Sequence, residues 1–343
     1  MQVASYEHPA SLTAQTNRLD QTSLRAFIEN SDIRIKQLDD EEIVFDLVGA
    51  EPPLANALRR ILIAEIPTMA IEKVEMWQNT SIIPDENLAH RLGLIPIAAD
   101  PRLFEYKTAP TKAYDATNSL RFKLHVTCTK KTPGSKFDVK CAADEDRHYN
   151  HANVYSGDLE WVPIGDQAER FREQGIPDPK PLHDDILIAK MRPGQEMEME
   201  LICEKGTGKT HAKWSPVCTA YYRNLPDIRF VEPIMDGEAE ELKALCPMGV
   251  FDIEDIGKAK NKSKKAIVKN GGIACTTCRE CIRDERFTER IDLGKKKEEF
   301  EFHVESVGIY TPDQLVIEAL AKLKEKAVFW YDQVSKEGAS SQV

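Results

Sequence analysis

The stretch that most restricts the fold lies near the C-terminal end. Phe300, Phe302, Val304 and Ser306 alternate with Glu301, His303 and Glu305, as a strand with one buried face requires. Thr311-Pro312-Asp313-Gln314 follows, giving an N-cap, a proline at the first helical position and a glutamine three residues after the cap. Beyond it Val316, Leu320, Leu323, Ala327, Trp330 and Val334 recur at alternating spacings of four and three, which is a heptad seam. Such a seam has to be covered. It packs either on the chain's own sheet or on a partner helix, and spacing alone leaves both readings open.

A second amphipathic helix opens at Pro52-Pro53, where a missing N–H costs nothing. Leu54, Leu58, Ile61 and Leu62 form its apolar stripe, Arg59 and Arg60 follow the centre, and Ile66-Pro67 ends it. Ahead of it, Ile33–Lys36 and Ile43–Val48 read as two strands joined across an acidic turn. Ala70–Trp77, Leu120–Cys128, Ile186–Met191 and Glu196–Cys203 are further strands, the last two separated by the turn Arg192-Pro193-Gly194-Gln195. Residues 129–185 read as loops with short strands, and residues 1–30 as a polar arm. The class is α+β, and 343 residues suffice for two or three domains.

Composition removes several functions. A net charge of −11 argues against a surface given over to phosphate binding. Residues 1–23 lack the apolar core of a signal peptide, and the longest apolar run, Leu92–Ala99, is interrupted by Pro96, so no membrane span is expected. Gly206-Thr207-Gly208-Lys209-Thr210 is not a phosphate loop, because Cys203 stands where the first glycine of that motif belongs. The six lysines between Lys258 and Lys269 read as a solvated loop rather than a nucleic-acid contact. The eight histidines do not cluster with carboxylates, and no self-contained active site is visible.

The specific chemical signal is Cys275-x-x-Cys278-x-x-Cys281. Three thiolates at this spacing can curl around one small centre, and Cys246, followed by Pro247, is the nearest fourth ligand. Zinc takes four thiolates, usually from two separated pairs. Three close cysteines with one distant Cys-Pro resemble iron–sulfur ligation more closely. Iron–sulfur, zinc and an empty set of thiols stay open, while a thiol–disulfide redox pair lacks the helix N-terminus it needs. Cys128, Cys141, Cys203 and Cys218 read as small core residues.

Several stretches together resemble the α and α-like subunits of RNA polymerase. They are Asn56-Ala57-Leu58-Arg59-Arg60-Ile61-Leu62 with Ala64-Glu65-Ile66-Pro67, Asp85-Glu86-x-Leu88-Ala89-His90-Arg91-Leu92-Gly93-Leu94-Ile95-Pro96, His211-Ala212-Lys213-Trp214-Ser215-Pro216, and Val304-Glu305-Ser306-x-Gly308. Asp100-Pro101-Arg102-x-Phe104 and Asp158-Leu159-Glu160-Trp161 look like the eukaryotic branch shared by polymerases I and III, with the polymerase II branch as the alternative. The resemblance covers about residues 31–335. It implies a discontinuous dimerisation domain from 31–66 plus 288–335, a mostly β insert at 67–231 and a small ferredoxin-like, cysteine-containing insertion at 232–287, flanked by an arm at 1–30 and a tail at 336–343.

The same resemblance implies a binding role with no catalytic residue. The chain would pair with a small α-like subunit, and the pair would gather the second-largest and largest polymerase subunits, with a small zinc-binding subunit nearby. Direct contact with nucleic acid would be slight or nil, and the location would be the nucleus, including the nucleolus. Leu54, Leu58, Ile61 and Leu62 and the seam from Val316 to Val334 would pack the subunit interface, while Arg59 and Arg60 would reach the second-largest subunit. Archaeal relatives carry an iron–sulfur cluster on a similar four-cysteine set, which many eukaryotic relatives have lost. The zinc site of the polymerase II relative is absent here, since no cysteine lies between Glu86 and Thr127.

Overall fold

The computed structural model describes residues 24–107, 113–131, 149–256 and 263–340. The expectations placed on residues 1–23, Cys141, Lys258, Lys260, Lys262 and residues 341–343 lie outside these segments. The main elements are α1 (Leu24–Asn30), β1 (Asp32–Leu38), β2 (Glu42–Val48), α2 (Pro52–Ala64), β3 (Pro67–Asn79), α3 (Asp85–Gly93), β4 (Ser119–Thr127), β5 (Glu160–Trp161), β6 (Glu196–Thr207), β7 (Val217–Phe230), α4 (Asp236–Leu245), β8 (Phe251–Ile256), β9 (Ser263–Val268), β10 (Ile291–Ser306) and α5 (Pro312–Ser340). Two compact units divide the chain. Met1–Gln37, Val44–Asn56 and Tyr221–His303 form the first, and Leu38–Ile43, Ala57–Ala220 and Val304–Val343 the second.

The first unit holds most of a four-stranded sheet in the order β1-β2-β10-β7. Alternation sorts its side chains. Phe45, Phe300 and Phe302 are fully buried, Phe45 stacks on Phe302 at 5.1 Å, and Tyr222 meets Phe300 edge-on at 5.3 Å. The alternate residues carry charge. Glu301, whose side chain is 5% exposed, receives Lys36 Nζ at 2.6 Å and the Arg223 guanidinium at 2.5 Å, with His303 Nε2 at 3.3 Å. Lys36 also pairs with Asp46 at 2.7 Å. Farther along the chain, α4 packs on the β8–β9 hairpin, whose register runs from Phe251↔Val268 to Ile256↔Ser263. Ile234, Ala239, Leu242, Phe251, Ala266 and Phe287 form the small core there, together with Cys281.

The second unit is built on a sheet of order β3-β6-β4-β5. Its register pairs Met197↔Val126, Met199↔Leu124, Leu201↔Phe122 and Cys203↔Leu120, so the buried face of each strand meets that of its neighbour. The strands run longer than the alternation predicts. β3 and β6 pair from Asn79 back to Pro67, with irregularities near Glu198 and Ile202. Leu88 and Leu92 of α3 close over the same core. The thiol expectation holds for Cys128 and Cys203, which are buried, whereas Cys218 is exposed.

Two motifs find structural roles in this unit. Gly206 lies inside β6, and a Cβ there would stand 2.3 Å from the Trp214 ring, so the motif that mimics a phosphate loop is a glycine cut to admit an indole. Trp214 Nε1 donates to the Glu204 carbonyl at 3.1 Å, and Thr68 Oγ1 donates to the Trp214 carbonyl at 2.9 Å. At the C-terminal motif, Gly308 N donates to Ser306 Oγ at 2.9 Å, Ser306 Oγ donates to the Tyr310 carbonyl at 2.6 Å, and Tyr310 Oη donates to the Pro67 carbonyl at 3.1 Å. Gly308 has φ +106°, a region that favours glycine, and this turn launches α5.

Two measurements test these assignments. Gly206→Ala must displace the Trp214 ring, so it should cost about 1–3 kcal/mol and lower the thermal midpoint. For Glu301, burial pushes the carboxyl up, but hydrogen bonds from Lys36, Arg223 and His303 outweigh it and hold the group near 2, against an ordinary 4.5. The stability this contributes is complete above about pH 4.5 and drains as pH falls toward about 2. Solvent screening at Arg223 limits it to roughly 2 kcal/mol. Acid titration of Glu301→Gln should lack this part of the unfolding transition.

Candidate functional site

Two features of the chain carry specific chemistry: the apolar stripes of α2 and α5, and the four-cysteine set. In α2, Leu58, Ile61 and Leu62 are fully buried, Leu54 and Arg59 are half-buried, and Arg60 is exposed. Within the lone chain the expected partner residues Leu58, Ile61 and Leu62 pack inward, while Leu54 of the same stripe stays half-buried. Beyond α2, Glu65 Oε1 accepts Lys326 Nζ of α5 at 2.6 Å.

The α5 seam splits in two. Its first turns are anchored: Leu315, Val316 and Ala319 are buried, and Arg102 pairs with Glu318 at 3.5 Å. From there the cover ends. Leu320 is 41% exposed, Leu323 is half-buried, Ala327 is exposed, and Trp330 and Val334 are 64% and 67% exposed. Val328, Phe329 and Tyr331 are exposed as well. The last turns of α5 thus present an apolar and aromatic band to solvent.

The four cysteines of the expected set lie around one cavity. Cys246, Cys275, Cys278 and Cys281 line one cavity of about 10 Å³, with Ile228, Phe251 and Leu293 as its apolar wall. None of them is in a disulfide. Backbone amides are already turned to the sulfurs: Val250 N donates to Cys246 Sγ and Thr277 N donates to Cys275 Sγ, each at 3.4 Å. To curl this tightly the loop holds Thr277 at φ 56° and Arg279 at φ 65°. A β-branched residue in that region carries strain, and strain of this kind collects at functional sites.

The donor set therefore fits a metal centre bound by thiolates. Burial, with the neighbouring Cys275, Cys246 and Cys278, pushes the Cys281 thiol up to about 11. That is opposite to an activated redox thiol, and a bound cation is what would draw the proton off. The cavity admits one water-sized centre. Among the described residues, however, the one group of three ligating side chains within 4.8 Å of one another is His125, Glu196 and Glu198, so the thiols are not drawn up as tightly as a mononuclear zinc site.

The two central sequence motifs also meet, which their separation in the chain conceals. His90 of α3 and His211 stand 6.5 Å apart, edge to face, at a cavity lined also by Glu72, Gly93, Lys213 and Trp214. Lys213 Nζ donates to the Ile71 carbonyl at 2.8 Å, and Arg91 donates to the carbonyls of Leu187 and Ile188 at 2.7 and 3.2 Å. These contacts join α3, β3 and the turn after β6, so the motifs serve architecture.

Comparison with known proteins adds two findings. The family described as the RNA polymerase Rpb3/Rpb11 dimerisation domain matches residues 44–327. The chain is 44% identical to a Bos taurus protein, "DNA-directed RNA polymerases I and III subunit RPAC1", over 90% of this chain and 86% of that one. It is 36% identical to the Saccharomyces cerevisiae protein of the same description, over 90% and 88%. Against the Dictyostelium discoideum "DNA-directed RNA polymerase II subunit rpb3" identity is 31%, over 86% and 92%.

For the cysteine site, chelation followed by metal analysis is the direct measurement. Purified chain should carry a bound metal that Cys281→Ser and Cys275→Ser both release, with loss of thermal stability in the first unit. A metal-free chain of unchanged stability would falsify this.

Proposed function

This chain belongs to the RNA polymerase Rpb3/Rpb11 dimerisation family, and from that membership we propose that it is a non-catalytic assembly subunit shared by RNA polymerases I and III. In this reading it pairs with a small α-like subunit, and the pair gathers the second-largest and largest subunits, with a small zinc-binding subunit alongside. The polymerases it serves make ribosomal RNA precursors and small RNAs such as 5S rRNA and tRNA. It acts in the nucleus and, with polymerase I, in the nucleolus. The polymerase II alternative is weaker, at 31% identity against 44%.

The observation that carries the proposal is the uncovered half of α5. From Leu320 to Val334 the seam runs roughly 21 Å along the helix. A partner helix laid along it would bury Trp330 and Val334, the kind of large anchors on which interface affinity concentrates. Arg60, exposed at the middle of α2, is free of that seam and is assigned to the second-largest subunit together with Arg59. The formal charge of −11 suits a scaffold held away from nucleic acid.

The four cysteines are proposed to close on one metal centre, held by Cys246, Cys275, Cys278 and Cys281. Their spacing resembles iron–sulfur ligation; zinc is the alternative, for which the thiols would have to draw closer together than they stand. Bound there, the centre would cross-link the loop after α4 to the loop after β9. The chain's own share is to supply the sulfurs, the two N–H···S contacts and the apolar wall.

Trp330→Ala should weaken the complex with the small α-like subunit by about 2 kcal/mol, near 30-fold in Kd, while leaving the melting of the lone chain unchanged. Titration calorimetry on the co-purified pair measures it. An unaltered Kd for Trp330→Ala combined with Val334→Ala would rule out α5 as the dimer surface.

A further inference from the structure

The solvent face of the second unit's sheet carries a cross-strand ladder of charge. On β6, Glu196, Glu198 and Glu200 alternate with the buried Met197, Met199 and Leu201. Opposite them on β4 stand His125, Lys123 and Arg121, with Glu198↔His125 and Glu200↔Lys123 in direct register. Each basic side chain leans one step along the ladder. Arg121 approaches Glu200 at 3.8 Å, Lys123 approaches Glu198 at 3.2 Å, and His125 Nε2 approaches Glu196 at 3.0 Å. The first two rungs are ordinary surface ion pairs of small energetic weight. The last rung differs in kind. Lysine and arginine only donate, whereas a neutral imidazole nitrogen is a metal ligand.

We propose that His125, Glu196 and Glu198 form a binding site for one divalent transition-metal ion of the zinc class. Their ligating atoms lie within 4.8 Å of one another. One nitrogen and two carboxylate oxygens select zinc, cobalt or nickel over calcium and magnesium, which take oxygen alone. Three protein ligands leave a fourth position for water or for a donor from another molecule. The strands hold the site still. The Glu196 amide donates to Thr80 Oγ1 at 2.7 Å, the Thr80 amide donates back to the Glu196 carbonyl at 3.0 Å, and the Cys128 amide donates to the Gln195 carbonyl at 2.9 Å. The outer side is open, because β5 pairs β4 only at Phe122 and Lys123, short of His125. One group competes: Lys123 holds Glu198 and must release it for the ion to bind. The site is independent of the cysteine cavity, which lies in the first unit.

Competition with Lys123 gives the site a test that a plain surface ion pair would fail. Co²⁺ is titrated into the full chain and followed by its visible absorption. The expected result is one equivalent bound without the thiolate-to-metal charge-transfer bands that the cysteine site would give. His125→Ala should lower its affinity at least tenfold, as loss of a ligand does. Lys123→Met should raise it several-fold, by freeing Glu198. Unchanged affinity in either variant, or thiolate bands accounting for all the bound cobalt, overturns the site.

Discussion

A single buried carboxylate holds together strands that the chain supplies from its two ends. Glu301 on β10 accepts Lys36 from β1, 265 residues away, and Arg223 from β7, 78 residues away. Lys36 in turn reaches Asp46 of β2, so all four strands of this sheet are joined through one small group of charges. Removing one member leaves the others charged and partly desolvated, which costs more than the pair contributes when intact. Sheets of non-local strands pay loop-closure entropy before they gain contacts. A hub that only correct pairing can satisfy also rejects wrong registers, since a one-residue slip would carry Glu301 to the phenylalanine face.

Much of this was legible in the residues, because alternation and heptad spacing report a buried face directly. Leu120, Phe122, Leu124 and Val126 were readable as one face, and they meet Met197, Met199 and Leu201 in the core. The proline-headed helices were readable from caps and stripes. Less was readable for β7, which carries Pro226 within a long run of mixed polar residues, a pattern that speaks against a strand. The nine residues of α3 lack a full apolar stripe, and only Leu88, Leu92 and Gly93 are buried. Their evidence lies in the charges, with Asp85 and Glu86 in the first turn and His90 and Arg91 in the last.

The site residues divide along a similar line. Spacing picked out Cys275, Cys278 and Cys281, and nearness with a following proline added Cys246; all four line one cavity. Spacing could not say which side of an apolar stripe belongs to the chain and which to a partner. Leu58 and Trp330 sit on stripes of the same period, yet one is in the interior and the other in solvent. What separates them is their place in the folded chain, which the period does not record. The ladder of β4 and β6 was missed for a different reason: His125 and Glu198 are 73 residues apart and become neighbours only through register.

The bare end of α5 ties the fate of the molecule to supply. Val328, Phe329, Trp330 and Tyr331 stand in solvent whenever no partner covers them, and solvent-facing bands of this kind are where chains stick to one another. A copy made in excess of its partner is therefore an orphan by chemistry. Mass action then governs how many copies stay soluble, since binding stabilises only the covered form. On the proposed pairing, matched synthesis of the two chains becomes a requirement written into a few turns of helix.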